Sequence, residues 1–231
     1  MNTPANSFLD VLQAEGPAAD RAEKMTLYGQ FVGGWESDVV SYEEDGTKHT
    51  GRGEIHFGWV LEGRAIQDVW MIPRRAERRP GMLAMPVAGN WYGTTLRIYD
   101  PGLDAWHILW SDPATQVYTR QIGRARGADI VQEGNLPTGA ILRWRFTEIT
   151  ANSFHWLGEY SADGGASWRL QVEVFARRVG SQHESGSSVR DAAHKTGQRA
   201  RESDGCPNTA CWPTAALRIR HEPRPVRRGL A

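Results

Sequence analysis

The chain reads as an all-β protein, a closed antiparallel up-and-down barrel of about ten strands, and three observations carry that reading. From Phe31 to Val179, short runs alternate apolar and polar residues with period two, and hardly any stretch keeps helical spacing. Turn signals separate the runs, among them Asp45-Gly46, Glu62-Gly63, Asp100-Pro101-Gly102 and Asp163-Gly164-Gly165. Each run is apolar on one face only, and closing such strands into a ring removes the edges that an open sheet would expose.

Residues 1–17 are polar, carry Pro4, Gly16 and Pro17, and are expected to form a flexible arm with at most a short helix around Phe8–Gln13. The barrel domain is expected over 18–179. From Ala18 onward, apolar residues at Ala22, Met25, Tyr28 and Val32 fall close to helical spacing, so a helix should lead into the first strand and cap one end of the barrel. The first strand, Trp35–Glu44, turns at Asp45-Gly46 into the second. Counting outward from a two-residue turn there sets Trp35 opposite His56, on the outer face. An extra residue at Gly51 or Gly53 would return Trp35 to the interior, so this register is open at the level of sequence.

The stretch Gly53–Pro73 is the most informative. With Glu62-Gly63 as a two-residue turn, Trp59 faces Ile66, Phe57 faces Asp68 and Ile55 faces Trp70. One face of this hairpin then holds Ile55, Phe57, Trp59, Ile66, Trp70 and Ile72, with Asp68 as its single carboxylate. A loop with Arg74, Arg75, Arg78 and Arg79 follows, read either as a gate or anion-attracting element or as a solvated loop. Further strands are predicted at Tyr92–Tyr99, Trp106–Ser111, Val117–Ile122, Asp129–Glu133, Ile141–Thr147, Phe154–Tyr160 and Trp168–Arg177. In the last three, Leu142, Trp144, Phe146, Phe154, Trp156, Tyr160, Trp168, Leu170, Val172 and Val174 are assigned to one face. Arg143, Arg145, His155, Glu159, Arg169, Gln171 and Glu173 are assigned to the other.

The pattern ends at Gly180. Residues 180–231 have no sustained period, few large apolar residues and nine Lys or Arg against five Asp or Glu, the composition of a disordered basic tail. The spacing of Cys206 and Cys211 near His183, His194 and His221 fits no standard structural zinc site, and no metal is expected. Formal net charge is zero, which gives no reason to expect nucleic acid or an acidic membrane as partner. There is no basic and apolar leader at the N-terminus and no run of membrane-spanning length, so a cytoplasmic protein is the expectation.

With these strands placed, residues 31–178 resemble the calycin group of barrels, which includes lipocalins, fatty-acid-binding proteins and nitrobindins. Gly34-Trp35 entering the first strand after a short helix, the meander of strands and an arginine on the closing strand carry the resemblance. The phrases FVGGWESD, WVLEGRAIQDVW, YGTTLRIYDP and YSADGGASW are similar to those of a bacterial lipocalin-like family. The resemblance implies a pocket for a small, mostly apolar molecule. Members of the wider group include carriers, isomerases, cyclases and haem proteins.

The residues themselves point the same way. Nine of the ten tryptophans fall between Trp35 and Trp168, and indoles suit pocket walls as well as cores. Candidate ligand-binding residues are Trp35, Phe57, Trp59, Trp70, Arg97, Tyr99, Trp110, Tyr118, Trp144 and Trp156. Asp68, set among apolar side chains, is the sharpest candidate for an acid or base, with His56 as the second by residue type. The plain alternative is that Asp68 pairs with an arginine such as Arg97 and braces the barrel. His107 and His155 alternate with inward aromatics and read as surface residues, which counts against a haem site. No phosphate loop, GxSxG nucleophile, HExxH or metal-spaced carboxylate set occurs, and no cofactor is expected.

Two functions fit: binding of a hydrophobic small molecule, or a cofactor-independent isomerase, cyclase, hydratase or lyase in which Asp68 or His56 moves a proton and Arg97 or Tyr99 stabilises negative charge. An oligomer is compatible with either.

Overall fold

A computed structural model of the chain describes residues 7–79 and 90–180. The tail with Cys206 and Cys211, and the middle of the arginine-rich loop, lie outside the described residues. Within them the period-two segments form ten long strands, preceded by the two-residue β1 (Gln13–Ala14). The first five are β2 (Gly33–Tyr42), β3 (Lys48–Val60), β4 (Ala65–Ile72), β5 (Trp91–Asp100) and β6 (Ala105–Asp112). The remainder are β7 (Val117–Arg126), β8 (Asp129–Asn135), β9 (Ile141–Thr147), β10 (Ser153–Ser161) and β11 (Arg169–Arg178). Each of β2 to β11 pairs antiparallel with the next, and β11 pairs with β2, so the meander closes on itself.

The β3–β4 register is the one the sequence predicts: Ile55 opposite Trp70, Phe57 opposite Asp68 and Trp59 opposite Ile66. The connection is the four residues Leu61–Arg64: Gly63 N–H donates to the Val60 carbonyl (3.1 Å) and Arg64 N–H to the Leu61 carbonyl (3.0 Å), and Leu61, Glu62 and Gly63 all take positive φ, 54°, 57° and 73°.

The β2–β3 register differs from the two-residue count. Tyr42 pairs with Lys48 and Trp35 with Ile55, because the loop is one residue longer. Glu43 N–H donates to the Thr47 carbonyl (2.9 Å), Gly46 takes a left-handed φ of 85°, and the Asp45 carboxylate accepts from Thr47 N–H (2.9 Å). The extra residue therefore sits in the turn rather than at Gly51 or Gly53. It sends Trp35 inward and leaves His56 outside, opposite Gly34.

The second departure is in β11. Gly158 pairs with Val172 but Glu159 pairs with Leu170, so Gln171 is the extra residue of a bulge. Side chains before the bulge exchange faces. Leu170 shares the outer face with Glu159, whose carboxylate accepts from Arg143 at 2.8 and 2.9 Å, and Trp168 stacks under the Arg143 guanidinium at 3.7 Å. The assignment of Trp168 and Leu170 to the interior, and of Gln171 to the exterior, is thereby corrected.

The N-terminal segment fills one end of the ring. Helix α1 (Phe8–Leu12) starts with a capping box, Ser7 and Asp10 each accepting from the other's backbone N–H. The chain then runs along the first hairpin, with Gln13 opposite Val60 and Ala18 N–H bonded to the Gly63 carbonyl (3.0 Å). Helix α2 (Ala22–Gly29) buries Met25 and Tyr28. Phe31, just beyond its end, takes the place the helical spacing had given to Val32, because the helix stops before Val32 comes round.

Phe31 stacks on Phe146 (4.7 Å between centroids) and meets Phe154 edge-on (5.1 Å), while Trp35 meets Phe154 at 4.8 Å and Tyr28 meets Trp106 at 4.9 Å. Each such fully buried aromatic contributes on the order of 2–3 kcal/mol. The arginine of the closing strand is Arg178. It lies over the Trp35 ring at 4.1 Å and donates to the carbonyls of Gln30, Val32 and Ala151 at 2.7–2.8 Å, satisfying the acceptors left where α2 ends.

Candidate functional site

The end of the barrel opposite α2 is hollow. There the interior positions of β4, β6, β9 and β10 carry Trp70, Trp110, Trp144 and Trp156, and the first residue of β5 is Trp91; all five line one cavity. The indoles form a continuous wall, with centroids 6.0 Å apart for Trp110–Trp144, 5.7 Å for Trp144–Trp156 and 5.3 Å for Trp156–Trp70. Angles of 90°, 57° and 55° between successive planes match the tilted and edge-to-face geometries that aromatic quadrupoles favour. The open space amounts to about 630 Å³, including the solvent at its mouth.

Small residues make this wall. Trp70 lies opposite Gly93 on β5, and a Cβ at Gly93 would overlap the Trp110 indole, so only glycine lets that ring lie across the strand. Trp91 is held from the loop side. Arg78 donates to the Trp91 and Pro73 carbonyls (3.3 and 3.2 Å) and to Asn90 Oδ1 (2.7 Å), and its guanidinium covers the Tyr92 ring at 5.0 Å. Arg74 and Arg75 pair with Glu77 and Glu54. Arg74, Arg75 and Arg78 of this loop thus bind protein groups.

Arg97 reaches the floor of the cavity. It and Asp68 are 1% and 0% exposed, and Arg97 Nη1 bonds Asp68 Oδ2 while Asp68 Oδ1 accepts from Thr95 N–H (2.8 Å). The guanidinium lies near the rings of Tyr28 (5.1 Å), Phe57 (5.4 Å) and Phe146 (5.9 Å), so the ion pair separates the hollow end from the filled one. Among the described residues, Arg97 Nε and the Tyr28 hydroxyl have no hydrogen-bond partner. Burial pushes the Tyr28 hydroxyl well above the ordinary tyrosine range, against the pull of the Arg97 charge.

Trp70, Arg97, Trp110, Trp144 and Trp156 therefore converge on the cavity. Trp35 and Phe57 belong to the filled end, and Trp59 packs on Gly29 of α2. Tyr99 also sits at that end, its hydroxyl donating to Asp104 Oδ1 (2.7 Å), a bond that raises its pKa. Tyr118 is 58% exposed on the outer face, between the inward Val117 and Thr119. His56 is outside beside Glu54 and Arg75, and Asp68 is sealed by Arg97.

The cavity also takes residues that sequence reasoning passed over. Trp91 shares its parity with Arg97, and Asp112 shares its parity with Trp106, Ile108 and Trp110, so strand alternation could have found both. Gln171 reaches the wall only through the bulge, which leaves no mark in the sequence. Among the described residues no group of His, Cys, Asp or Glu is arranged to hold a metal ion, and no helix is long and apolar enough to cross a membrane.

No family model and no curated protein matches the chain. Among solved structures, it is similar to the S-type phycobiliprotein lyase CPES from Guillardia theta (12% identity, 72% of this chain and 100% of that chain, TM-score 0.49). It is also similar to Rv2717c from M. tuberculosis (13% identity, 68% and 98%, TM-score 0.45) and to EF1p2_mFAP2b bound to DFHBI (15% identity, 70% and 100%, TM-score 0.32). Likeness at this level carries nothing about activity, and the barrel rests on the strand pairing of the chain itself.

Proposed function

We propose that this lipocalin-like barrel binds a small, mostly apolar molecule in its tryptophan-lined end. The observation that carries the reading is the convergence of five indoles on an open cavity whose opposite end is closed by α2 and the phenylalanine cluster. Aromatic side chains left facing an open space keep apolar surface in water, and an apolar ligand gains by covering it.

The placement of the acid–base candidates supports binding over proton transfer. Asp68 is engaged by Arg97 and Thr95, and His56 lies on the other side of the sheet. The test is native mass spectrometry of protein purified from its own host, followed by extraction and identification of what it retains. Wild type is expected to carry an apolar small molecule that Trp70→Ala loses. A wild-type barrel that carries nothing, and whose tryptophan fluorescence no apolar probe alters, would overturn the reading.

A further inference from the structure

Asp112, at the end of β6, lines the tryptophan cavity and is 1% exposed. Its Oδ1 accepts the N–H groups of Ala114 (2.8 Å) and Thr115 (3.2 Å), which fix the carboxyl group in place. Its Oδ2 has no hydrogen bond among the described residues, and no Lys, Arg or His there forms an ion pair with it. The other charge at the cavity, Arg97, is already matched by Asp68. The unbalanced charge of the wall is therefore one carboxylate, set among five indoles.

Resting on the reading of this cavity as a binding site, we propose that its ligand carries a positive charge: an organic ammonium or protonated amine on an apolar body. Indole faces present the negative side of their quadrupole, so a ring of them attracts a cation and disfavours an anion. Asp112 is already out of water, so a neutral ligand leaves its buried charge uncompensated, whereas a cation in the cavity offsets it. An anion would meet the carboxylate, with an arginine whose charge is spent on Asp68.

Three probes of one shape separate these cases: benzyltrimethylammonium, its uncharged carbon isostere neopentylbenzene, and the anionic benzylsulfonate. Binding is read by tryptophan fluorescence and by calorimetry on wild type and Asp112→Asn. The asparagine keeps an oxygen for the Ala114 and Thr115 N–H groups, and thermal unfolding checks that the barrel is intact. The ammonium is expected to bind wild type about tenfold or more tighter than neopentylbenzene, with the sulfonate weakest. Asp112→Asn should bring the ammonium down to the level of neopentylbenzene and leave neopentylbenzene unchanged.

Equal or tighter binding of neopentylbenzene or benzylsulfonate to wild type, or an ammonium affinity indifferent to Asp112→Asn, overturns the charge assignment while the cavity remains a binding site. Failure of all three probes on wild type overturns the charge assignment, and together with an empty host-purified protein it removes the binding reading as well. Should Asp112→Asn not fold, the wild-type ranking alone decides.

Discussion

Asp68 and Arg97 form an ion pair with almost no exposure, and the energetics of such pairs decide what a substitution does. Removing one partner leaves the other charge buried and alone. Asp68→Ala should cost about 3–5 kcal/mol in urea unfolding, whereas joint replacement, Asp68→Leu with Arg97→Met, should cost much less. Tyr28 gives a second prediction. Its buried hydroxyl has no partner among the described residues, so Tyr28→Phe should stabilise by about 1 kcal/mol. Because burial raises its pKa, the folded state prefers the protonated hydroxyl. That preference is fully present below the ordinary value of 10.0 and is lost as pH rises beyond it toward the higher folded value. Wild type should therefore lose stability above pH 10 more steeply than Tyr28→Phe, as read by urea midpoints across that range. Strand alternation placed Asp68 inside without any coordinates. It also offered Arg97, twenty-nine positions on, as the partner that braces it, and the β4–β5 pairing, with Asp68 opposite Thr95 and Ile66 opposite Arg97, brings the two together.

Among the elements, hairpins were readable to the extent that their turn chemistry admits one loop length. Glu62-Gly63 forms the centre of a four-residue loop, Leu61–Arg64, which keeps the β3–β4 register a two-residue turn at the same place would give. Asp45-Gly46 fits a two-residue or a three-residue turn equally well, and the protein uses the longer one, which moves Trp35 inside. The β11 bulge has no glycine of its own. It lies opposite the Gly158/Glu159 step, so the inward Gln171 was invisible to a count of alternating residues. Strand β5 shows how an element builds the site: Gly93→Ala places a methyl where the Trp110 ring lies. It should cost about 1–3 kcal/mol and weaken retention of the cavity ligand, measured by urea unfolding and native mass spectrometry on the same sample.

At the scale of the whole molecule, the proposed binding function would divide stability and binding between the two ends of one ring. Phe31 fills the closed end against Phe146, Phe154 and Phe57, and Phe31→Ala should cost about 3–5 kcal/mol. Trp144 stands on the wall of the open end, so Trp144→Ala should cost distinctly less in unfolding yet weaken ligand binding by about tenfold or more, read by calorimetry. If both substitutions cost the same in stability and neither alters binding, the division of labour is not there. The barrel, its helix cap and the tryptophan-rich interior were readable from alternation and turns. Which end would be hollow was not, because that follows from how far α2 and Phe31 reach into the ring. One consequence of the tryptophan wall is optical. Neighbouring indoles at 5.3–6.0 Å lie close enough for their electronic transitions to couple, and their fixed tilts make that coupling chiral. The folded protein should carry a strong circular dichroism signal from these four rings, and a molecule seated among them would change it, so the cavity reports its own occupancy without a label.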